Sequence, residues 1–154
     1  MGDVQVSAKA DYAVRALVEL AAEGGGPIKG ERLAEMQHIP PKFLESILTE
    51  LRHHGLLASR RGADGGYWLA HPPSEIFIAD IIRATDGPLA SVRGMSPDEV
   101  GYTGAAVNLS DVWLALRASL RAVLDHVSLQ DVATGNLPPD IRRLAMDPEA
   151  RQTR

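Results

Sequence analysis

The feature that most constrains this chain is the stretch Ile39–Ala70, IPPKFLESILTELRHHGLLASRRGADGGYWLA. Its first half carries Phe43, Leu44, Ile47, Leu48 and Leu51 at three-to-four spacing, the mark of a helix with one apolar stripe. Lys42, Glu45, Ser46, Thr49 and Arg52 fall off that stripe and face outward. Pro41 suits the first helical position, where its missing N–H costs nothing, and Gly55 suits the stop. Two short strands follow, Leu57–Arg61 and Gly66–Ala70, joined by Gly62-Ala63-Asp64-Gly65. A polar-faced helix followed by an arginine-bearing hairpin with a glycine-rich tip is the arrangement by which a winged helix-turn-helix holds DNA.

The elements around it complete that arrangement. Ser7 is a candidate cap, with Asp11 in the first turn, for a helix whose Tyr12, Ala13, Ala16, Leu17, Leu20 and Ala21 form an apolar face. Gly24-Gly25-Gly26-Pro27 ends it. A second helix is expected over about Gly30–Gln37, and His38-Ile39-Pro40 is the turn into the third. A fourth helix is expected over about Ile78–Thr85. Ser96-Pro97-Asp98-Glu99 has the pattern of a capping box that starts a short helix. A long helix is expected from Asn108 to Val127, with Leu109, Trp113, Leu116, Leu120, Val123, Leu124 and Val127 along one stripe. Ser128 with Asp131 opens a last short helix that Gly135 closes. The fold class is therefore mostly α with a small β-hairpin wing. We divide it into a DNA-binding domain over 6–88, a loop over 89–107, a long helix and short terminal helix over 108–137, and a loose Pro-, Arg- and acid-rich tail over 138–154.

A net charge of −4 is unusual for a DNA binder. The field at the docking face matters more than the total. From Arg52 to Arg61 there are three arginines, two histidines and no acid. On the third helix Lys42 can donate to guanine or phosphate, Glu45 can accept from cytosine N4, and Ser46 can do either, with Thr49 one turn on. Arg52 lies near phosphate. Arg60 and Arg61 sit where a wing approaches the backbone or the electronegative minor groove. Gly62, Gly65 and Gly66 let its tip turn tightly and come close. Trp68 lies on the strand face opposite Tyr67 and Leu69. The long apolar stripe after Pro88 argues for a second copy of the chain, because DNA sites with two half-sites need a twofold dimer. A winged helix can instead serve as a protein-docking module without specific DNA binding, and the acidic net charge fits that alternative.

Several classes are excluded. With no cysteine, there is no disulfide, thiol chemistry or thiolate metal site. Adjacent His53 and His54 point about 100° apart on a helix and are poorly placed to share an ion. Gly62–Gly66 lies between two strands and lacks the ending of a phosphate-binding loop. No nucleophile–base or paired-carboxylate set is assembled, so no enzyme is expected and no cofactor or metal is assigned. No apolar run approaches the ~18 residues of a membrane span, and MGDVQVSAKADY does not read as a signal peptide. A cytoplasmic protein without membrane contact is expected.

The segments SAKADYAVRALVELA, IPPKFLESILTELRHHGLLASRRGADGGYWLA and EIFIADIIRATDGPL together resemble the Rrf2 family of bacterial transcription factors, over Val6 to about Leu137. The FLE of the third helix and the RGxxGGYxL wing at this separation carry the likeness. The resemblance implies a homodimeric winged helix-turn-helix regulator, most often a repressor, acting on near-palindromic duplex operators. It places the base-reading glutamate at Glu45 with flanking contacts at Lys42 and Ser46, the minor-groove arginine at Arg61, and the dimerisation helix at Leu109–Val127. Many members hold an iron–sulfur cluster on three cysteines in the loop before that helix, and Asp11 matches a carboxylate ligand of some. Here the loop is SVRGMSPDEVGYTGAAVNL. The resemblance thus implies a cluster-free regulator, like members tied to cysteine and sulfur metabolism. The loop Leu89–Val107 would meet a small-molecule or protein effector, with Met95, Tyr102 and Trp113 either lining its pocket or packing in the core.

Overall fold

The computed structural model describes residues 5–154; the first four residues of the stretch read for a signal peptide lie outside them. Helix α1 (Ala8–Glu23) begins where Ser7 accepts a hydrogen bond from the Ala10 amide at 3.0 Å and ends at left-handed Gly24. Helices α2 (Gly30–Gln37) and α3 (Pro41–His53) follow, then the antiparallel strands β1 (Leu57–Arg60) and β2 (Gly66–Leu69). Beyond them lie α4 (Ile78–Asp86), α5 (Leu109–Leu124), α6 (Leu129–Thr134) and α7 (Pro139–Ala145). The turn between α2 and α3 is made by His38, whose φ of 54° lets its amide return to the α2 carbonyls.

One core joins these elements. Leu17 of α1, Leu33 of α2, Leu44, Ile47, Leu48 and Leu51 of α3, Ile81 of α4 and Leu129 of α6 are all buried within it. Phe43 departs from the expected stripe. It is 47% exposed and packs edge-on against Tyr12, ring centroids 5.7 Å apart. It lies at the edge of the apolar arc, beside that ring on α1.

The expected division at Pro88 leaves out part of this core. After α5 the chain turns back, and Phe77 and Ser128 form a bridge. The Ile78 amide donates to Val127 O and the Leu129 amide to Ile76 O, each at 2.9 Å. Ser128 and Asp131 close a reciprocal capping box at 3.0 and 3.1 Å, which starts α6 against α1. Val127 is therefore a buried residue of this core and not part of the long-helix stripe. Helix α5 ends at Leu124, and the next residue, Asp125, is gripped by Arg83 of α4 through two hydrogen bonds of 2.8 and 3.2 Å. That grip holds the Asp125 carboxyl below the usual carboxylate range. Its stabilisation is present above the unfolded-state pKa and is lost as pH falls through the folded one.

Two further expectations change. Ser96–Glu99 forms a turn and not a helix: Glu99 N–H donates to Ser96 O at 2.9 Å, and buried Pro97 is followed by no further helical turn. The tail over 138–154, expected to be loose, contains α7 and a 3-10 turn at Pro148–Arg151. Pro139 starts α7 and Ile141 anchors it, at 9% exposure.

Replacing Leu129, fully buried in the core, tests whether α6 belongs to the folding unit. Leu129→Ala is expected to cost about 2–5 kcal/mol of unfolding free energy in urea titration. A near-zero change would mean that the unit closes at Pro88.

Candidate nucleic-acid interface

The interface follows from how α3 is held. Its inner face, Leu44, Ile47, Leu48 and Leu51, is buried to 1% exposure or less. Positions 42, 45, 46 and 49 then share the opposite side, since residues three and four apart on a helix are neighbours. Lys42, Glu45 and Ser46 are exposed. Among the described residues, none of the three side chains is hydrogen-bonded or ion-paired within the chain. Pro41 is the first residue of the helix, as expected. Thr49 is less available: it is half-buried and its hydroxyl donates to Glu45 O at 3.0 Å.

The arginines divide into braces and one free charge. Arg52 donates to Ser59 Oγ at 3.1 Å, fastening the end of α3 to β1. Arg60 donates to Asp64 O at 2.9 Å, spanning the wing's turn. Arg61 is exposed, and no carboxylate among the described residues lies within 4.0 Å of it. Local pattern treats Arg60 and Arg61 alike, and the family resemblance points to Arg61; the backbone path of the turn separates them in the structure.

The glycines act in two ways. Gly62 has a φ of 106°, which an L side chain rarely adopts, and lies at the exposed tip. Gly65 and Gly66 are packing sites. A Cβ on Gly65 would lie 2.0 Å from Arg60 O, and one on Gly66 would lie 2.6 Å from the Ile28 carbonyl carbon. The second contact exists because Ile28, just before α2, pairs with Tyr67 as a third edge of the wing. Ile28 N–H donates to Tyr67 O at 2.9 Å and Tyr67 N–H to Ile28 O at 2.8 Å. This bridge also carries Lys29 to the wing, with its Nζ 3.4 Å from Gly62 O. Sequence reasoning missed Lys29, because no local pattern links positions 28 and 67. Trp68, opposite Ala58, is half-buried.

On α5 no residue is buried. Leu109, Trp113, Leu116, Leu120, Val123 and Leu124 are half-covered, and Val112 and Leu114 are 54% and 37% exposed. The loop before α5 is fastened by Arg117. Its guanidinium donates to Leu89 O at 3.1 Å and Ser96 Oγ at 2.8 Å, and its side chain is only 13% exposed. Trp113 Nε1 donates to Tyr102 Oη at 2.9 Å, joining two of the candidate pocket residues, whereas Met95 is 44% exposed.

A polar-faced helix and a glycine-built wing on one core define a winged helix-turn-helix protein of the DNA-binding class. The comparisons with known proteins agree. Residues 6–135 match the family model Rrf2, described as an iron-dependent transcriptional regulator, and the chain belongs to the Rrf2 family. An HTH-type transcriptional regulator of Mycobacterium tuberculosis is 51% identical over 151 residues, covering 97% of this chain and 94% of the relative. The solved structure of CymR, the global cysteine regulator of B. subtilis, has a TM-score of 0.73 at 32% identity, covering 87% of this chain and 99% of that one. T. potens IscR has a TM-score of 0.67 at 31% identity, covering 98% and 93%. The chain is thus a DNA-binding transcriptional regulator and not an enzyme. None of the helices is long and apolar enough to cross a membrane among the described residues.

The family description names iron, and the residues here do not fit a resident cluster. Cysteine is absent from the chain, and iron–sulfur clusters are held chiefly by thiolates. Among the described residues no three His, Asp or Glu side chains converge as a metal site. The Asp11 carboxylate pairs with Arg15 one turn on, at 3.1 Å.

Gly66→Ala tests the wing's seating. The added methyl must displace the Ile28 backbone at a φ of 142°, so the variant is expected to lose about 1–3 kcal/mol of stability. An unchanged denaturation midpoint would refute the close approach of Ile28 to the wing.

Proposed function

We propose that the chain works as a homodimeric, sequence-specific regulator that represses by occupying near-palindromic operators, without an iron–sulfur cluster. The observation that carries this reading is the uncommitted outer face of α3 beside the free Arg61. Lys42, Glu45 and Ser46 read bases in the major groove. Arg61 holds the wing on the backbone or in the minor groove, with Gly62 at the tip giving close access. Arg52 keeps α3 and the wing in fixed relation, Arg60 and Gly65 hold the wing's own turn, Gly66 seats the wing against Ile28, and Thr49 and Pro41 support the helix from its own backbone.

The dimer reading rests on α5. Sixteen residues with no buried side chain leave both a half-covered apolar stripe and exposed Val112 and Leu114. A second copy of α5 around a twofold axis would cover them, through Leu109, Trp113, Leu116, Leu120, Val123 and Leu124. Twofold symmetry in the protein then calls for twofold symmetry in the operator. Repression is the output that occupancy alone produces. The likeness to CymR supports a role in sulfur or cysteine metabolism, with a stress response as the related option. The loop Leu89–Val107, fastened on α5 by Arg117, is the place where a small-molecule or protein effector would alter the dimer.

Two variants test the base and backbone roles. Glu45→Ala is expected to cut discrimination between operator variants more than total affinity, read by competition binding; intact discrimination would remove Glu45 from base reading. Arg61→Ala is expected to weaken binding and to flatten its dependence on log salt by about 0.9 for one lost phosphate contact. Unchanged affinity and slope would take the wing out of the mechanism.

A further inference from the structure

Lys29 has no part in the reading above, and the fold places it at the wing. The two Ile28–Tyr67 hydrogen bonds run antiparallel to β2. The residue after Ile28 therefore lies at the level of Gly66, which pairs with Arg60 across the hairpin. Gly66, having no side chain, lets the Lys29 amide come within 2.9 Å of where a Cβ would stand. From there Lys29 extends along the tip, and its Nζ donates to Gly62 O at 3.4 Å. The side chain is exposed and, among the described residues, has no carboxylate within 4.0 Å. Gly62 follows Arg61 directly, so Lys29 and Arg61, both without a carboxylate partner among the described residues, flank one stretch of backbone at the tip, beside Arg60 held on Asp64 O.

We propose that Lys29 is a further DNA-backbone contact, making with Arg61 a two-cation clamp on the phosphates beside the wing. This rests on the DNA-docking reading of the wing. A lysine acts as a point charge with three donors. One donor can stay on Gly62 O while the others meet phosphate oxygens. The contact adds affinity and no base preference. It also helps a chain of net charge −4 to present a locally positive docking edge. The nearby acids, Glu31 on α2 and Asp64 in the turn, form no ion pair with it.

The test compares the full-length protein with Lys29→Gln, Lys29→Arg and Arg61→Ala, titrating a random-sequence duplex across a range of salt. Glutamine removes the charge, and the Ile28–Tyr67 backbone pair that seats the wing does not depend on this side chain. Lys29→Gln is expected to weaken binding about eightfold near 0.1 M salt and to lower the log–log slope by about 0.9, as one lost counterion release implies. Lys29→Arg is expected to restore both. If Arg61→Ala flattens the slope and Lys29→Gln does not, Lys29 merely pins the turn and the proposal falls. If neither variant changes the slope, the wing does not touch phosphate, and the underlying reading fails with it.

Discussion

Burial of the inner face of α3 is the constraint on which the rest of this structure depends. Leu44, Ile47, Leu48 and Leu51 enter a core formed with α1, α2, α4 and α6. Four anchors over two turns leave the helix no freedom to roll about its axis. The direction of Lys42, Glu45 and Ser46 is thereby settled by residues that never meet solvent. The same helix end positions the wing, through Arg52 on Ser59 and through the Leu56 amide on Leu51 O at 3.0 Å. Helix α3 and the wing are therefore fastened directly to one another.

Much of this was legible in the sequence because it is local. Helix α3 shows itself by period and by Pro41, α1 by Ser7 and Gly24, and α6 by Ser128, Asp131 and Gly135. Each signal concerns backbone groups only a few positions apart. What escaped was set by partners distant in the chain. Phe43 matches the apolar period yet is exposed, because its place at the edge of the arc depends on where Tyr12 lies. Val127 continues the α5 period, but the helix ends at Leu124 and Val127 is buried where the chain turns back. Arg60 and Arg61 look alike until the turn's path gives one a carbonyl and leaves the other free. The tail's proline content suggested looseness, whereas Pro139 sits at the one helical position that proline favours.

Charge is distributed to suit the docking face despite the acidic total. Lys9 pairs with Glu50 at 2.6 Å and Arg83 with Asp125, and both pairs are only about one-third exposed. The acids near the core are thus neutralised by lysine or arginine partners on neighbouring helices. Lys42 and Arg61 remain unpaired on the side where DNA would lie. The loop before α5 follows the same economy: Arg117 satisfies the Leu89 carbonyl and the Ser96 hydroxyl.

The central claim is that two copies of this unit, joined through α5, read a twofold-symmetric duplex. It is tested most directly by selecting bound duplexes from a random DNA pool with the purified full-length protein and measuring the stoichiometry of the winning complex. The account predicts a near-palindromic site carrying one dimer, its half-sites one helical turn or a multiple apart. Enrichment of a single unrepeated half-site bound by one copy, or no enrichment at all, would contradict it.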